Sequence, residues 1–122
     1  MTGKTPKRIG LAGSVAILAG QLLINPMAIA QSSVLEEGKA LAFERSKGNC
    51  LACHMIQGGT APGNIAPPLI AMKGRYPDKE KLRQQIFDAT VTNPESAMPP
   101  FGQNEILSKA ELDKLVDFIW TL

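Results

Sequence analysis

The sequence contains few cysteines, histidines and aromatic residues, and each shortage narrows what the chain can do. Its 122 residues include two cysteines, one histidine, one tryptophan, one tyrosine and four phenylalanines. Because no second pair of cysteine or histidine ligands is present, a four-ligand structural zinc site is not available. So few aromatic side chains build only a thin core, and small domains of that kind often depend on a covalent or cofactor constraint.

The first thirty residues lack acidic side chains and have the composition of a secretory signal peptide. Their basic residues all lie within the first ten positions: Lys4, Lys7 and Arg8. An uncharged stretch rich in Leu, Ile, Ala and Val follows from Gly10 to Ile24, and Ala28-Ile29-Ala30 offers small residues at the two positions that a signal peptidase reads. We therefore predict a signal peptide over residues 1–30, cleaved after Ala30. The alternative is an uncleaved anchor helix, which the short apolar run disfavours.

Residues 31–122 form the expected mature chain, and no one sign of charge dominates it. They number 92, with 10 basic and 11 acidic side chains and a formal charge of −1. A strongly basic nucleic-acid-binding protein is therefore excluded. No apolar run after residue 30 approaches 18 residues, so we expect no membrane span in the mature chain. The prediction is an exported, periplasmic domain of residues 31–122.

Every cysteine and histidine of the chain lies in one pentapeptide, Cys50-Leu51-Ala52-Cys53-His54. In an exported protein this C-x-x-C-H pattern indicates attachment of a c-type haem. Each thiol adds across one haem vinyl group, and two intervening residues let one helical turn reach both vinyl positions. His54 follows at once, so its imidazole can bind the iron from the same side. We predict one covalently bound haem c per chain, attached through Cys50 and Cys53.

Three other interpretations of the C-x-x-C pair are weaker. A thioredoxin-type disulfide would require a surrounding βαβ pattern, which is missing. Half of a zinc site would require a second pair of ligands. A chance match is disfavoured because all the cysteine and histidine of an exported chain meet in this one motif.

The sixth iron ligand has to be sought among methionine and lysine, or else the site is open. Met98 lies 44 residues beyond His54 and is followed by Pro99-Pro100, which fix the backbone and prevent a helix there. Met55 is adjacent to the histidine and would point from the same face, whereas Met72 is only 18 residues on. We predict Met98 as the second axial ligand. The alternative is that Met98 merely fills the core.

Hydrophobic periodicity predicts two helices before the methionine loop. The first covers residues 34–47, with Ser33 as its N-cap. Gly38 within it favours close contact to another helix, and the alternative is a tolerated glycine on the surface. The second covers residues 78–91, with Asp78 as its N-cap. Its buried stripe is expected to be Leu82, Ile86 and Ala89.

A third helix is predicted at the end of the chain, and it has the clearest signature. Ser108-x-x-Glu111 is a capping box, and Leu107 can pack on Leu112 across the helix start. Apolar residues then recur at helical spacing: Leu112, Leu115, Val116, Ile119 and Trp120. Residues 56–68 are rich in Gly and Pro and predict a loop. Since no run alternates with period two, we expect a single all-α domain.

Basic residues cluster around the second predicted helix. They are Lys73, Arg75, Lys79, Lys81 and Arg83, with Asp78 and Glu80 interleaved. One interpretation is an ordinary solvated helix face. The other is a surface that docks a partner or attracts anions.

With these features the chain resembles a class I cytochrome c. The resemblance covers nearly all of residues 31–122: a glycine-bearing first helix, C-x-x-C-H, a proline loop, a methionine loop and an amphipathic last helix. It implies that the first and last helices cross and that a proline carbonyl, here of Pro67, accepts the Nδ1 proton of the axial His54. It further implies that Leu69 packs on the proximal haem face. The weakest implication is that Arg75, in Gly74-Arg75, pairs with a haem propionate.

Within that class, the chain resembles the SoxX family, the monohaem cytochrome subunits of the sulfur-oxidation (Sox) system. The stretches that carry this resemblance are Gly48–His54, Pro62–Ile65, Pro67–Leu69, Met98–Gly102 and Asp117–Leu122. They spread over about 75 residues and together are more specific than the haem motif alone.

The SoxX resemblance implies a heterodimer with SoxA, a second haem protein, in an enzyme of the L-cysteine S-thiosulfotransferase type. Such a complex oxidatively couples thiosulfate to a cysteine of the carrier SoxYZ, with the sulfur chemistry at SoxA. This chain would accept the electrons and pass them to a soluble cytochrome. Two other functions stay open: a free-standing soluble electron carrier, and a haem sensor in which Met98 dissociates. The Pro99-Pro100 sequence disfavours the sensor, because it stiffens the methionine loop.

Overall fold

The computed structural model describes Gly3 and residues 26–122, and these residues are entirely helix and loop. They contain four α-helices: α1 (Pro26–Phe43), α2 (Met72–Arg75), α3 (Lys79–Phe87) and α4 (Lys109–Trp120). Two single turns of 3-10 helix, Cys50–Ala52 and Ala89–Val91, lie between them. The described part contains no strand, so the all-α prediction is confirmed. Of the predicted signal peptide, Gly3 and residues 26–30 are described, the latter as the start of α1, and the other residues lie outside the described part; the signal peptide stays a prediction.

Helices α1 and α4 cross at Gly38 and form the main helix pair. A Cβ atom at Gly38 would collide with the backbone carbonyl of Lys114 and would lie 2.8 Å from the Cβ of Phe118. Next to the crossing, the ring of Phe43 meets that of Phe118 edge to face at 6.3 Å, and Ala42 is fully buried. The close helix contact predicted at Gly38 is therefore confirmed, and only glycine permits it.

Helix α4 forms because its start is capped and one of its faces is apolar. The Ser108 hydroxyl accepts from the Glu111 N–H, and the Glu111 carboxylate accepts from the Ser108 N–H, which completes the predicted capping box. Leu107 and Leu112 are 2% and 1% exposed, as a packed pair across the helix start requires. The predicted apolar stripe is buried at Leu112, Leu115, Val116 and Ile119, and half-buried at Trp120.

The bounds predicted for the first helix are wrong at both ends. The prediction was residues 34–47, whereas α1 runs from Pro26 to Phe43. Ser33 is not an N-cap, because it lies inside α1 and its hydroxyl donates to the Ala30 carbonyl at 2.8 Å. At the other end, residues 44–48 form turns, and the Gly48 N–H returns to a carbonyl of α1. At the start of α1, Pro26 is well suited to the first turn. The N–H groups of a first turn have no partner within the helix, so a proline, which has no N–H, costs no hydrogen bond there.

The second predicted helix is shorter than the predicted residues 78–91. Asp78 caps α3 as expected, since its side chain accepts from the Glu80 N–H. The helix ends at Phe87 because Asp88 is extended and its carboxylate accepts from both the N–H and the hydroxyl of Thr90. An aspartate that bonds its neighbours in this way competes with the helix. The three predicted buried residues, Leu82, Ile86 and Ala89, are buried.

Residues 44–71 and 88–108 connect the helices, mostly as loops. The predicted loop 56–68 contains no helix or strand. The short helix α2 is joined to the end of the chain by a hydrogen bond from the Met72 N–H to the Leu122 carbonyl, 2.8 Å long. In the described part of the chain, none of the helices has the length and apolar character needed to cross a membrane.

Candidate functional site

A cavity of about 650 Å³ opens between the loops and the helices. Its size lies within the range of about 300–1,000 Å³ that is typical of cofactor and ligand pockets. Buried apolar side chains line its interior: Leu69, Met72, Leu82, Ile86, Leu115 and Ile119. An apolar pocket of this kind suits a large flat organic group better than a hydrated ion.

All seven residues predicted for the site line this one cavity. They are Cys50, Cys53, His54, Pro67, Leu69, Arg75 and Met98. They come from the turn after α1, from residues 66–69 (the proline loop), from α2 and from the loop before α4. The fold therefore brings together residues that are up to 48 positions apart in the sequence.

The C-x-x-C-H segment is a tight turn that places its side chains along the cavity wall. The His54 N–H donates to the Cys50 carbonyl at 2.8 Å, and the Cys53 N–H donates to the same carbonyl at 3.2 Å. Asn49 enters the turn with a left-handed φ of 46°, a conformation that asparagine adopts more readily than most residues. Gly63 lies against the turn so closely that a Cβ atom there would collide with the Ala52 carbonyl.

Neither cysteine forms a disulfide, and both line the cavity. Burial raises the pKa of the Cys50 thiol to about 11, so this thiol is protonated at neutral pH. Two thiols on one turn fit covalent attachment to a group inside the cavity.

The imidazole of His54 is held through its Nδ1 atom. Nδ1 lies 2.7 Å from the Pro67 carbonyl oxygen. A carbonyl can only accept, so Nδ1 carries the proton and Nε2 is the ring nitrogen left to bind a metal. The hydrogen bond expected between these two residues is present. A partner of this kind fixes the ring and raises the basicity of the ligating nitrogen.

Of the methionines in residues 26–122, Met98 and Met72 line the cavity. Met98 is half-buried and lines the cavity with His54. Met72 also lines the cavity, but its sulfur accepts a hydrogen bond from Arg75 Nη1 at 3.5 Å. Met55 is 54% exposed and is not among the cavity-lining residues. Of the lysines, Lys47 lines the cavity and is paired with Glu111 at 2.8 Å.

Arg75 has contacts that the sequence did not indicate. Its Nη1 donates to the Pro68 carbonyl at 2.8 Å as well as to the sulfur of Met72. The guanidinium still borders the cavity, so the predicted contact with a propionate stays a prediction. A hydrogen bond from a side chain to a backbone carbonyl seven residues away has no recognisable spacing pattern in the sequence.

Members of the predicted basic cluster contact carboxylates of α4 and the ring of Trp120. Lys79 and Arg83 form ion pairs with Asp117 and Asp113 of α4, which matches the ordinary helix-face interpretation. The ammonium of Lys73 lies 5.0 Å from the centre of the Trp120 ring, and that of Lys79 lies 5.3 Å from it. Lys73 and Lys79 therefore lie beside the same indole ring.

Sequence reasoning also missed part of the cavity wall. Leu82 and Ile86 were predicted as ordinary core, yet they line the cavity from α3. Tyr76 lines it too, and its carbonyl accepts from the Trp120 indole N–H at 3.1 Å. Helical periodicity shows that a residue faces inward, but it does not distinguish packing on protein from packing on a cofactor.

A comparison with protein families gives one match. Residues 34–119 match the family described as "Cytochrome C oxidase, cbb3-type, subunit III". A search of curated protein sequences found no match. The matched range includes the whole of the Cys50–His54 turn and every residue of the cavity described above. The chain therefore belongs to this cytochrome c domain family and is a class I c-type cytochrome, with covalently bound haem c and an electron-transfer function.

Proposed function

We propose that the chain transfers single electrons through a haem attached to Cys50 and Cys53, with His54 and Met98 as the two axial ligands. The observation that carries this proposal is that His54 and Met98, 44 residues apart, line the same cavity as the two thiols. When bound, haem c supplies an iron that alternates between two oxidation states. With both axial positions taken by protein, substrate has no free position on the iron.

The protein's own residues support this electron-transfer role in three ways. The Pro67 carbonyl holds His54 in one orientation. Pro99 and Pro100 restrict the backbone beside Met98, so the thioether is kept in place. A thioether ligand raises the reduction potential relative to two histidines, which suits an electron acceptor.

The specific role that we propose is that of a SoxX-type subunit in the periplasm, paired with a SoxA-type haem protein. The stretches that resemble SoxX lie at positions with defined contacts around the cavity. Gly63 packs on the Ala52 carbonyl, and Gly102 leaves no room for a Cβ beside the Phe87 ring. At both positions packing requires a glycine, and this requirement supports the resemblance.

Thiosulfate chemistry is assigned in this proposal to the partner. Both cysteines of the chain are used for haem attachment, so no thiol is left to carry a sulfur intermediate. The chain would take electrons released when thiosulfate is coupled to a cysteine of SoxYZ, and would deliver them to a soluble cytochrome.

The test is reconstitution with purified proteins. The full chain is exported with its own signal peptide and mixed with a SoxA-type subunit, SoxYZ and thiosulfate. We expect a stable one-to-one complex on gel filtration and reduction of this chain's haem only when all components are present. Met98→Ala is the matched variant, expected to form the complex but to be reduced more slowly than wild type. A wild-type chain that elutes alone and exchanges electrons with many small redox proteins would instead indicate a free carrier.

A further inference from the structure

We propose that Arg75 is a positioning residue that holds the axial histidine in place by binding the proline loop behind it. This inference rests on the proposed role of His54 as an iron ligand. Three contacts connect the two side chains. His54 Nδ1 donates to the Pro67 carbonyl at 2.7 Å, Arg75 Nη1 donates to the next carbonyl, that of Pro68, at 2.8 Å, and the same Nη1 lies 3.5 Å from the Met72 sulfur.

The proline loop needs donors from outside because it has few of its own. Pro67 and Pro68 have no N–H groups, and each ring fixes its own φ. The ends of the loop are held by the Ala66 N–H on the Cys53 carbonyl, 3.0 Å, and by the Leu69 N–H on the Met55 carbonyl, 2.9 Å. The peptide group between Pro68 and Leu69 is thus bonded on its N–H side by the main chain and on its carbonyl side by Arg75.

Because Pro68 has a fixed φ, its two flanking peptide groups are mechanically coupled. The first of them carries the Pro67 carbonyl that accepts from His54, and the second carries the Pro68 carbonyl that accepts from Arg75. One torsion, the ψ of Pro68, separates the two. Holding the second carbonyl therefore limits how far the first can turn away from the imidazole.

Arg75 itself is fixed to the helical part of the molecule. It ends α2, where its own N–H donates to the Ala71 carbonyl at 3.2 Å. The first residue of α2, Met72, is 2% exposed and its N–H donates to the Leu122 carbonyl at 2.8 Å. The Arg75 guanidinium therefore fixes the loop that orients His54 relative to α2 and to Leu122.

An arginine suits this task better than a lysine. Its planar, charged fork makes a strong hydrogen bond to a carbonyl while a second contact is kept. The same short helix offers an internal comparison in Lys73, whose ammonium lies over the Trp120 ring instead. Lys73 and Arg75 carry the same charge two residues apart, but only Arg75 contacts the proline loop.

The test measures how well the His54 Nδ1 proton is protected in the reduced haem protein. Its hydrogen exchange is followed by NMR in wild type, Arg75→Leu, Arg75→Lys and the control Lys73→Leu, together with the midpoint potential of each. We expect exchange at least about tenfold faster in Arg75→Leu, because a charge-assisted hydrogen bond that holds the loop is lost. We expect a smaller acceleration in Arg75→Lys and a wild-type rate in Lys73→Leu.

Several outcomes would overturn the proposal. If Arg75→Leu exchanges at the wild-type rate while its potential shifts, the arginine acts through its charge or a propionate and not through the loop. Equal acceleration in Arg75→Leu and Lys73→Leu would also exclude the loop contact as the cause. Should Arg75→Leu fail to fold, Arg75→Gln, whose amide nitrogen ends two bonds short of the arginine Nη1, is measured against Lys73→Gln by the same criterion. Failure of the proposed function is distinguishable, because it would be visible as a missing methionine–iron absorption band in the wild type.

Discussion

The crossed helices α1 and α4 and the cavity-lining loops, residues 48–71 and 88–107, are held in place by different means. The helix pair is stabilised by its own packing: Ala42 is fully buried, the ring of Phe43 meets that of Phe118, and Lys114 is paired with Glu37 across the crossing. The loops have little regular hydrogen bonding. Their strained points are the left-handed non-glycine residues, which lie within them or at their boundary: Asn49, Ala61, Ala71 and Glu105.

This difference shows that the two regions depend on the cofactor to different degrees. The helices satisfy their backbone groups internally and bury apolar faces against each other. The loops adopt conformations that cost energy, and they surround a cavity of about 650 Å³ that haem is to fill. We therefore expect changes at the cavity to alter the whole molecule, and changes at the helix crossing to alter stability with little effect on the iron.

Removal of haem attachment should have the greatest consequence. The double variant Cys50→Ser, Cys53→Ser should carry no covalent haem, and its loops should lose order because the cavity would be left without its occupant. Haem staining after denaturing electrophoresis and circular dichroism measure the two effects. A double variant that stays as stable as wild type would contradict the dependence of the loops on the cofactor.

An intermediate effect is expected at the helix crossing. Gly38→Ala should lower the free energy of unfolding by about 1–3 kcal/mol, since the new methyl group meets the rigid Lys114 carbonyl. The matched control is Gly74→Ala in α2, where nothing lies within 4 Å of a new Cβ. Denaturant unfolding should show the control unchanged or slightly more stable. Both variants should keep the wild-type haem spectrum, and a changed spectrum in Gly38→Ala would mean that helix pair and iron site are coupled.

The helix pair was largely predictable from the sequence, because its signals are local. The capping box at Ser108 and Glu111 and the stripe around Leu115 follow from side-chain types at fixed spacing. The close contact at Gly38 also followed, since a glycine within a helix needs a reason. The helix ends were predicted less well. Asp88 ends α3 through its own hydrogen bonds, and Ser33, a good capping residue, lies inside α1.

At the site, the sequence indicated the residues but not their connections. The chemistry of Cys50, Cys53 and His54 follows from one pentapeptide, and Pro67 followed from resemblance. The bond from Arg75 to the Pro68 carbonyl could not be predicted, because it depends on how α2 lies against the loop. A hydrogen bond from a side chain to a carbonyl of another element is decided by the tertiary fold, which spacing along the chain does not encode.

The mildest consequence is expected at an ion pair that connects the turn after α1 to the start of α4. The hydrogen bond from Lys47, assisted by Ser108, lowers the pKa of the Glu111 carboxyl from 4.5 to about 2. A depressed carboxyl pKa stabilises the fold fully above pH 4.5, and that contribution is lost as the pH falls towards 2. Glu111→Gln should therefore be less stable than wild type at neutral pH, with the difference shrinking over this interval.

Acid titration of unfolding stability checks this prediction against a control. Glu36→Gln, at a position on α1 away from this ion pair, should follow the wild-type curve. Were Glu111→Gln to keep the same acid dependence as wild type, the pair with Lys47 would contribute nothing to stability.

Ligation by both His54 and Met98 would close the iron to substrate and leave it an electron-transfer centre. The optical spectrum of the purified haem protein, oxidised and reduced, tests this ligation in wild type and Met98→Ala. We predict a haem c spectrum with a weak long-wavelength sulfur-to-iron band in the oxidised wild type, absent in the variant. A wild-type spectrum without that band would contradict the proposed ligation, because the iron would then be open or differently ligated and would itself become the candidate reaction site.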